Sequence, residues 1–183
     1  MLSVGRTRLV VAETIIDGHL GKSELDPRAA MRMLTTLGKE NKAAHLEDVL
    51  ECLKQRGFEH TMYLASAAIV ACRRCCDWGA ALAILRKMRA SRVDLDTISY
   101  NGAISACAKG GEWARALELL GEMAANLFEL DIISYSAAVS ACETSGEWPK
   151  VFGLLAEMSS KSVEMDTIAY SAAVSACGKG GEW

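Results

Sequence analysis

The pattern of apolar and polar positions repeats along most of this chain. From Ile98, the apolar residues Ile98, Ala103, Ile104 and Cys107 form one helical stripe, with Tyr100 beside it. Gly110-Gly111 breaks that helix. A second apolar face follows at Trp113, Ala116, Leu117, Leu120 and Met123, and a polar loop then ends at Asp131. The spacing predicts a helix, a tight turn, a helix from about Glu112 to Ala125, and a loop.

The unit recurs every 35 residues. Trp78, Trp113, Trp148 and Trp183 keep that step, and so do Cys72, Cys107, Cys142 and Cys177. The strings TISYNGAISACAKGGEW from Thr97, IISYSAAVSACETSGEW from Ile132 and TIAYSAAVSACGKGGEW from Thr167 align without a gap. MYLASAAIVACRRCCDW from Met62 is a diverged copy, with Ala65 where the others carry tyrosine. A period of this length marks a stacked-repeat protein. The fold class it predicts is all-α, a right-handed αα superhelix of helix-turn-helix repeats. Five blocks result: a degenerate repeat over 27–61, full repeats over 62–96, 97–131 and 132–166, and a partial one over 167–183. The degenerate block shows in Leu46, Leu50 and Leu53, which fall one period before Ala81, Leu85 and Met88. The last block stops at Trp183, before a second helix, so the chain reads as an incomplete protein with a frayed last helix.

Local chemistry follows from the same register. Asp96, Asp131 and Asp166 each stand just before a new helix, where a short acid caps free amides. Glu112, Glu147 and Glu182 each precede a tryptophan at a second-helix start, where a helix dipole favours an acid. The tryptophans read as core residues between helix pairs. Small residues at Ala103, Ala106 and Cys107 let neighbouring helices approach closely.

Composition narrows the classes. Hydrophobic residues make up 51% of the 183, yet no apolar run reaches the ~20 residues of a membrane span. A net charge of −3 argues against a generally basic nucleic-acid binder and leaves room for a local basic row. Met1 to Val11 holds Arg6 and Arg8 and no acid precedes Glu13, so residues 1–26 fit a transit segment or a linker. Gly18-His19-Leu20-Gly21-Lys22-Ser23 imitates a phosphate loop, but Ile16 stands where its first glycine belongs. Cys72, Cys75 and Cys76 offer three thiols without a nearby fourth ligand, and structural zinc takes four. The repeat cysteines read as small buried apolar residues. His19, His45 and His60 show no catalytic spacing. These residues call for no enzyme, metal, cofactor, small-molecule substrate or membrane.

Tyr100-Asn101 early in the first helix, a small-residue-plus-Cys segment late in it, Lys-Gly-Gly at the turn and a closing Asp together resemble the pentatricopeptide repeat family. The resemblance covers Met62 to Trp183 well and Pro27 to Thr61 weakly. It implies a module that reads one RNA base per repeat. By that resemblance the fifth and last residues of each repeat meet a base edge: Ser66 with Asp96, Asn101 with Asp131, Ser136 with Asp166, and Ser171 opening a fourth pair. The Asn/Asp pair implies uracil and the Ser/Asp pairs a guanine-like preference, read 5′ to 3′ along the chain. Tyr63, Ile98, Ile132 and Ile168 are assigned to sandwich the bases, and Arg74, Lys109 and Lys179 to approach phosphate, with Thr144 departing from that pattern. The implied partner is single-stranded RNA, alongside protein partners in RNA processing, in a chloroplast or mitochondrion. A helical scaffold for protein contacts is the alternative that periodicity alone leaves open.

Overall fold

In the computed structural model the described residues are 10–18, 27–40, 45–57, 62–165 and 167–180. The lead-in at 1–9 and 19–26, and residues 41–44, 58–61, 166 and 181–183, lie outside them, as does the side chain of Ile168. The described secondary structure is helical. After a helical stretch over 10–18 (α1) come α2 (Pro27–Lys39), α3 (Leu46–Gln55), α4 (Met62–Cys75), α5 (Trp78–Ala90), α6 (Thr97–Lys109), α7 (Trp113–Ala125), α8 (Ile132–Thr144), α9 (Trp148–Ser160) and α10 (Thr167–Gly180). First helices thus begin at Met62, Thr97, Ile132 and Thr167, one period apart.

The helices end alike. Gly111 and Gly146 take left-handed backbone conformations (φ 76° and 71°) just past α6 and α8. The next amides, Glu112 N and Glu147 N, reach back to the carbonyls of Cys107 and Cys142 at 2.9 Å. This closure satisfies carbonyls that a helix end would otherwise strand. The same geometry closes α4, α5, α7 and α9 on Cys76, Arg92, Leu127 and Ser162, non-glycine residues held at φ 54–59°. Starts are set by caps. Asp77 accepts from Ala80 N at 2.9 Å, and Pro149 sits in the first turn of α9, where its missing N–H costs nothing.

The chain forms two compact units, Met1–Ser99 and Tyr100–Trp183. In the first, α2 lies along α4, and α3 packs against α4 and α5. Leu34, Leu37, Leu46, Leu53, Ile69 and Ile84 are fully buried there. Each such side chain contributes roughly 1.5–3 kcal/mol by leaving water. Gly38 permits the close approach: a Cβ on it would stand 2.7 Å from Ala71 Cβ. At the edge of that core, Lys87 of α5 meets Glu51 and Glu47 of α3 at 3.1 and 3.5 Å.

In the second unit, α8 packs against α7, α9 and α10, and α10 also touches α9. Tyr135 is fully buried and donates its hydroxyl to Glu157 Oε1 at 2.9 Å; Lys161 closes the cluster at 2.7 Å from the same oxygen. Tyr100 is equally buried and packs on Phe128, with ring centroids 5.2 Å apart.

Cys72, Cys107 and Cys142 are buried, and burial first of all pushes their thiols up to about 12, 11 and 11. Such thiols stay protonated and behave as small apolar groups. The tryptophans correct the sequence reading: Trp78, Trp113 and Trp148 are half-buried, not core, and Trp183 is outside the described residues. Each is the first residue of a second helix. The tyrosines Tyr100 and Tyr135 fill the interior in their place.

Candidate nucleic-acid interface

Asp96 and Asp131 stand at the junctions where one repeat ends and the next first helix begins. Each is half-buried and caps that helix. Asp131 Oδ1 accepts from the Ser134 amide at 2.9 Å and the Ser134 hydroxyl at 2.7 Å. Asp96 Oδ1 accepts from the Ser99 amide at 2.8 Å and the Ser99 hydroxyl at 2.5 Å. The hydrogen bonds to these two carboxylates within the described residues converge on Oδ1.

The paired residue reaches the same oxygen. Asn101 Nδ2 donates to Asp131 Oδ1 at 3.4 Å, and Ser66 Oγ lies 3.3 Å from Asp96 Oδ1. A carboxylate only accepts, so the Asn101 amide presents its N–H side to Asp131. Burial raises the Asp131 carboxyl, but the Ser134 amide, the Ser134 hydroxyl and the Asn101 amide outweigh it and hold the group below the usual aspartate range. Asp131 is therefore an anion at neutral pH.

The paired residues are recessed. Ser66 and Asn101 are only 8% and 9% exposed. Ser66 Oγ also lies 2.8 Å from Met62 O and 2.8 Å from Ser99 Oγ, so its single proton is committed within the protein. Asn101 Oδ1 and Ser136 Oγ are covered and find no hydrogen-bond partner. Contact with an outside group at these two atoms requires a side-chain rotation. Ser171 is exposed on α10, and Asp166, assigned beside Ser136, lies outside the described residues.

The apolar flank is open. Tyr63 is 66% exposed and Ile98 62%. One period beyond Ile98 falls Ile133, which is 58% exposed, whereas Ile132, assigned from sequence, is half-buried. The register therefore selects Ile133 and not Ile132, and counting from Ile98 alone finds it. Ile168 holds the same register, with its side chain outside the described residues.

The cationic row is uneven. Arg74 and Lys109 are exposed at the ends of α4 and α6. Lys179 is also exposed, but its ammonium sits 2.8 Å from Glu143 Oε1, which takes the Ser175 hydroxyl at 2.6 Å as well. Bonds from Lys179 and then Ser175 hold the Glu143 carboxyl below its usual range. Ser99, Ser134 and Glu143 are the residues that sequence reasoning missed, because their roles come from contacts about one period away or across a helix start.

Residues 98–126 and 133–163 each match the family description "PPR repeat". These two segments are pentatricopeptide repeats. No curated protein matches the sequence. Among solved structures it resembles the PPR domain of Arabidopsis thaliana protein-only RNase P 1, crystallised with tRNA, at 13% identity and TM-score 0.68 over 82% of this chain and 79% of that one. It also resembles maize PPR10 at 21% identity and TM-score 0.73, and PPR10 bound to an 18-nt psaJ RNA element at 21% and 0.74. These matches cover 97% and 98% of this chain but 26% of PPR10, so the chain spans about a quarter of that protein's length. At such identities the likeness establishes the all-α PPR solenoid fold. Among the described residues no helix is long and apolar enough to cross a membrane.

Proposed function

We propose that this chain binds single-stranded RNA selectively, one base per PPR repeat, and acts by occupying its site without a catalytic step. The observation that carries the reading is the Asn101–Asp131 pair. A capped, ionised aspartate orients a recessed amide on α6, the helix that also carries the exposed Ile98. Ile98 and Ile133 offer exposed apolar surface against which a base can pack, and the amide offers a donor and an acceptor for its edge. Supporting it are RNA-bound relatives of the same fold, the PPR domain with tRNA and PPR10 with its psaJ element. Arg74 and Lys109 supply the phosphate contacts that an overall charge of −3 withholds elsewhere. The base preferences, uracil at the Asn101 repeat and guanine-like at the Ser66 and Ser136 repeats, and the organellar setting rest on the family resemblance.

The test is a panel of short labelled RNAs varied at one nucleotide, titrated by fluorescence anisotropy at several salt concentrations. Binding weakens as salt rises because phosphate contacts release counterions. Asn101→Ser moves base preference at a single nucleotide and leaves the others unchanged. Salt-insensitive binding with no base preference in either protein sinks the proposal and favours a protein-contact scaffold.

A further inference from the structure

Two repeats carry the same Ser/Asp pair, Ser66 with Asp96 and Ser136 with Asp166, and their serines are held differently. Ser66 Oγ rests 2.8 Å from Ser99 Oγ, and Ser99 in turn donates to Asp96 Oδ1. Ser99 is fully buried, so its hydroxyl answers to these partners and not to water. One carboxylate oxygen, one backbone amide and two hydroxyls form a closed knot. Two periods on, the position of Ser99 is occupied by Ala169, which is equally buried and has no hydroxyl. Ser136 Oγ has lost its counterpart, and among the described residues it is one of two covered side-chain atoms without a hydrogen bond. The intermediate case agrees. Ser134, one period after Ser99, grips Asp131 with both its amide and its hydroxyl, and Asn101 is long enough to reach Asp131 itself.

We infer that the third residue of the following helix, Ser99, Ser134 or Ala169, is a specificity-determining position that decides how firmly the preceding reading pair is held. The inference rests on the RNA reading above. A buried hydroxyl beside the carboxylate fixes the rotation of the aspartate and, for serine readers, of the reader itself. Held groups discriminate between base edges because a wrong edge leaves a desolvated polar atom unpaired. A serine without a partner turns to accommodate either base. The Ser136 repeat therefore reads its nucleotide less strictly than the Ser66 repeat, although their pairs are the same residue types.

Ala169→Ser and Ser99→Ala are compared with the parent chain on RNAs varied at one nucleotide. Ala169→Ser restores a partner for Ser136 and raises the ratio of affinities for best and second-best base by ~3–10-fold at the third-repeat nucleotide alone. Ser99→Ala lowers that ratio by a similar factor at the first-repeat nucleotide alone. A merely structural role weakens all RNAs equally and leaves both ratios in place. If Ala169→Ser changes no ratio while Asn101→Ser still shifts its own nucleotide, the inference falls and RNA reading stands. If neither variant moves any ratio and the parent shows no preference, both fall. Should Ser99→Ala fold poorly, Ala169→Ser, which adds one buried oxygen beside a waiting hydroxyl, decides the matter by itself.

Discussion

Gly38 and Gly121 both lie within helices, and a methyl group added to each is expected to act with opposite sign. At Gly38 the new Cβ meets Ala71 Cβ at 2.7 Å, Ala71 Cα at 2.8 Å and Ala71 O at 3.1 Å. Carbon atoms rest at ~3.5–4.0 Å, so α2 has to withdraw from α4 by roughly 1 Å. None of the opposing atoms is the end of a flexible side chain. The shift also strains the Cys75 Sγ–Gly38 O bond, now 3.1 Å. Overpacking of this kind costs ~1–3 kcal/mol. The helix preference for alanine over glycine returns roughly 0.5–1 kcal/mol. The net for Gly38→Ala is a loss of about 1–2 kcal/mol. With a urea slope near 2 kcal/mol per molar, the midpoint of a helical circular-dichroism melt drops by ~0.5–1 M. At Gly121 nothing lies within 4 Å of the added methyl, so Gly121→Ala keeps only the gain and raises the midpoint by roughly 0.3–0.5 M. A Gly38→Ala protein as stable as its parent refutes the claim that this glycine sets the α2–α4 distance.

Leu127 is 93% exposed at φ 59°, so Leu127→Gly relieves left-handed strain without losing burial and stabilises by ~0.5–1 kcal/mol in the same urea assay. Because the folded Asp131 carboxyl titrates below its unfolded value, its contribution is complete above the ordinary aspartate range and disappears as pH falls through the lowered folded pKa. Ser134→Ala removes one of the bonds that lower it, and moves the acid-unfolding midpoint to higher pH when followed by circular dichroism. Glu143→Gln releases Lys179 from its 2.8 Å ion pair. RNA affinity then rises at low salt, and the slope of log affinity against log salt steepens by ~0.7, one phosphate contact on a single strand.

The 35-residue step was legible because a solenoid needs the same apolar face in every module, and Cys107 to Cys142 or Tyr100 to Tyr135 shows it directly. The pairing of Asn101 with Asp131 was legible through the family resemblance, since both recur at fixed places in the period. The interior was read less well. The tryptophans are periodic and large, yet they stand at second-helix starts and are half-buried. Periodicity records that a position is equivalent in each repeat, not how deep it lies. The choice between Ile132 and Ile133 turned on one residue of register, which exposure settles.

The order of side chains along the chain by itself determined that helices form, where they break at Gly110-Gly111, and that the modules are alike, because these depend on local preference and period. Only the tertiary structure decided which glycine holds two helices together, that Ser66 meets Ser99 behind Asp96, and that Glu143 occupies Lys179. Those contacts join residues about 30 to 36 apart, or depend on the fit of α2 against α4. No local propensity encodes such distances, since they are set when the side chains of neighbouring helices close-pack against one another.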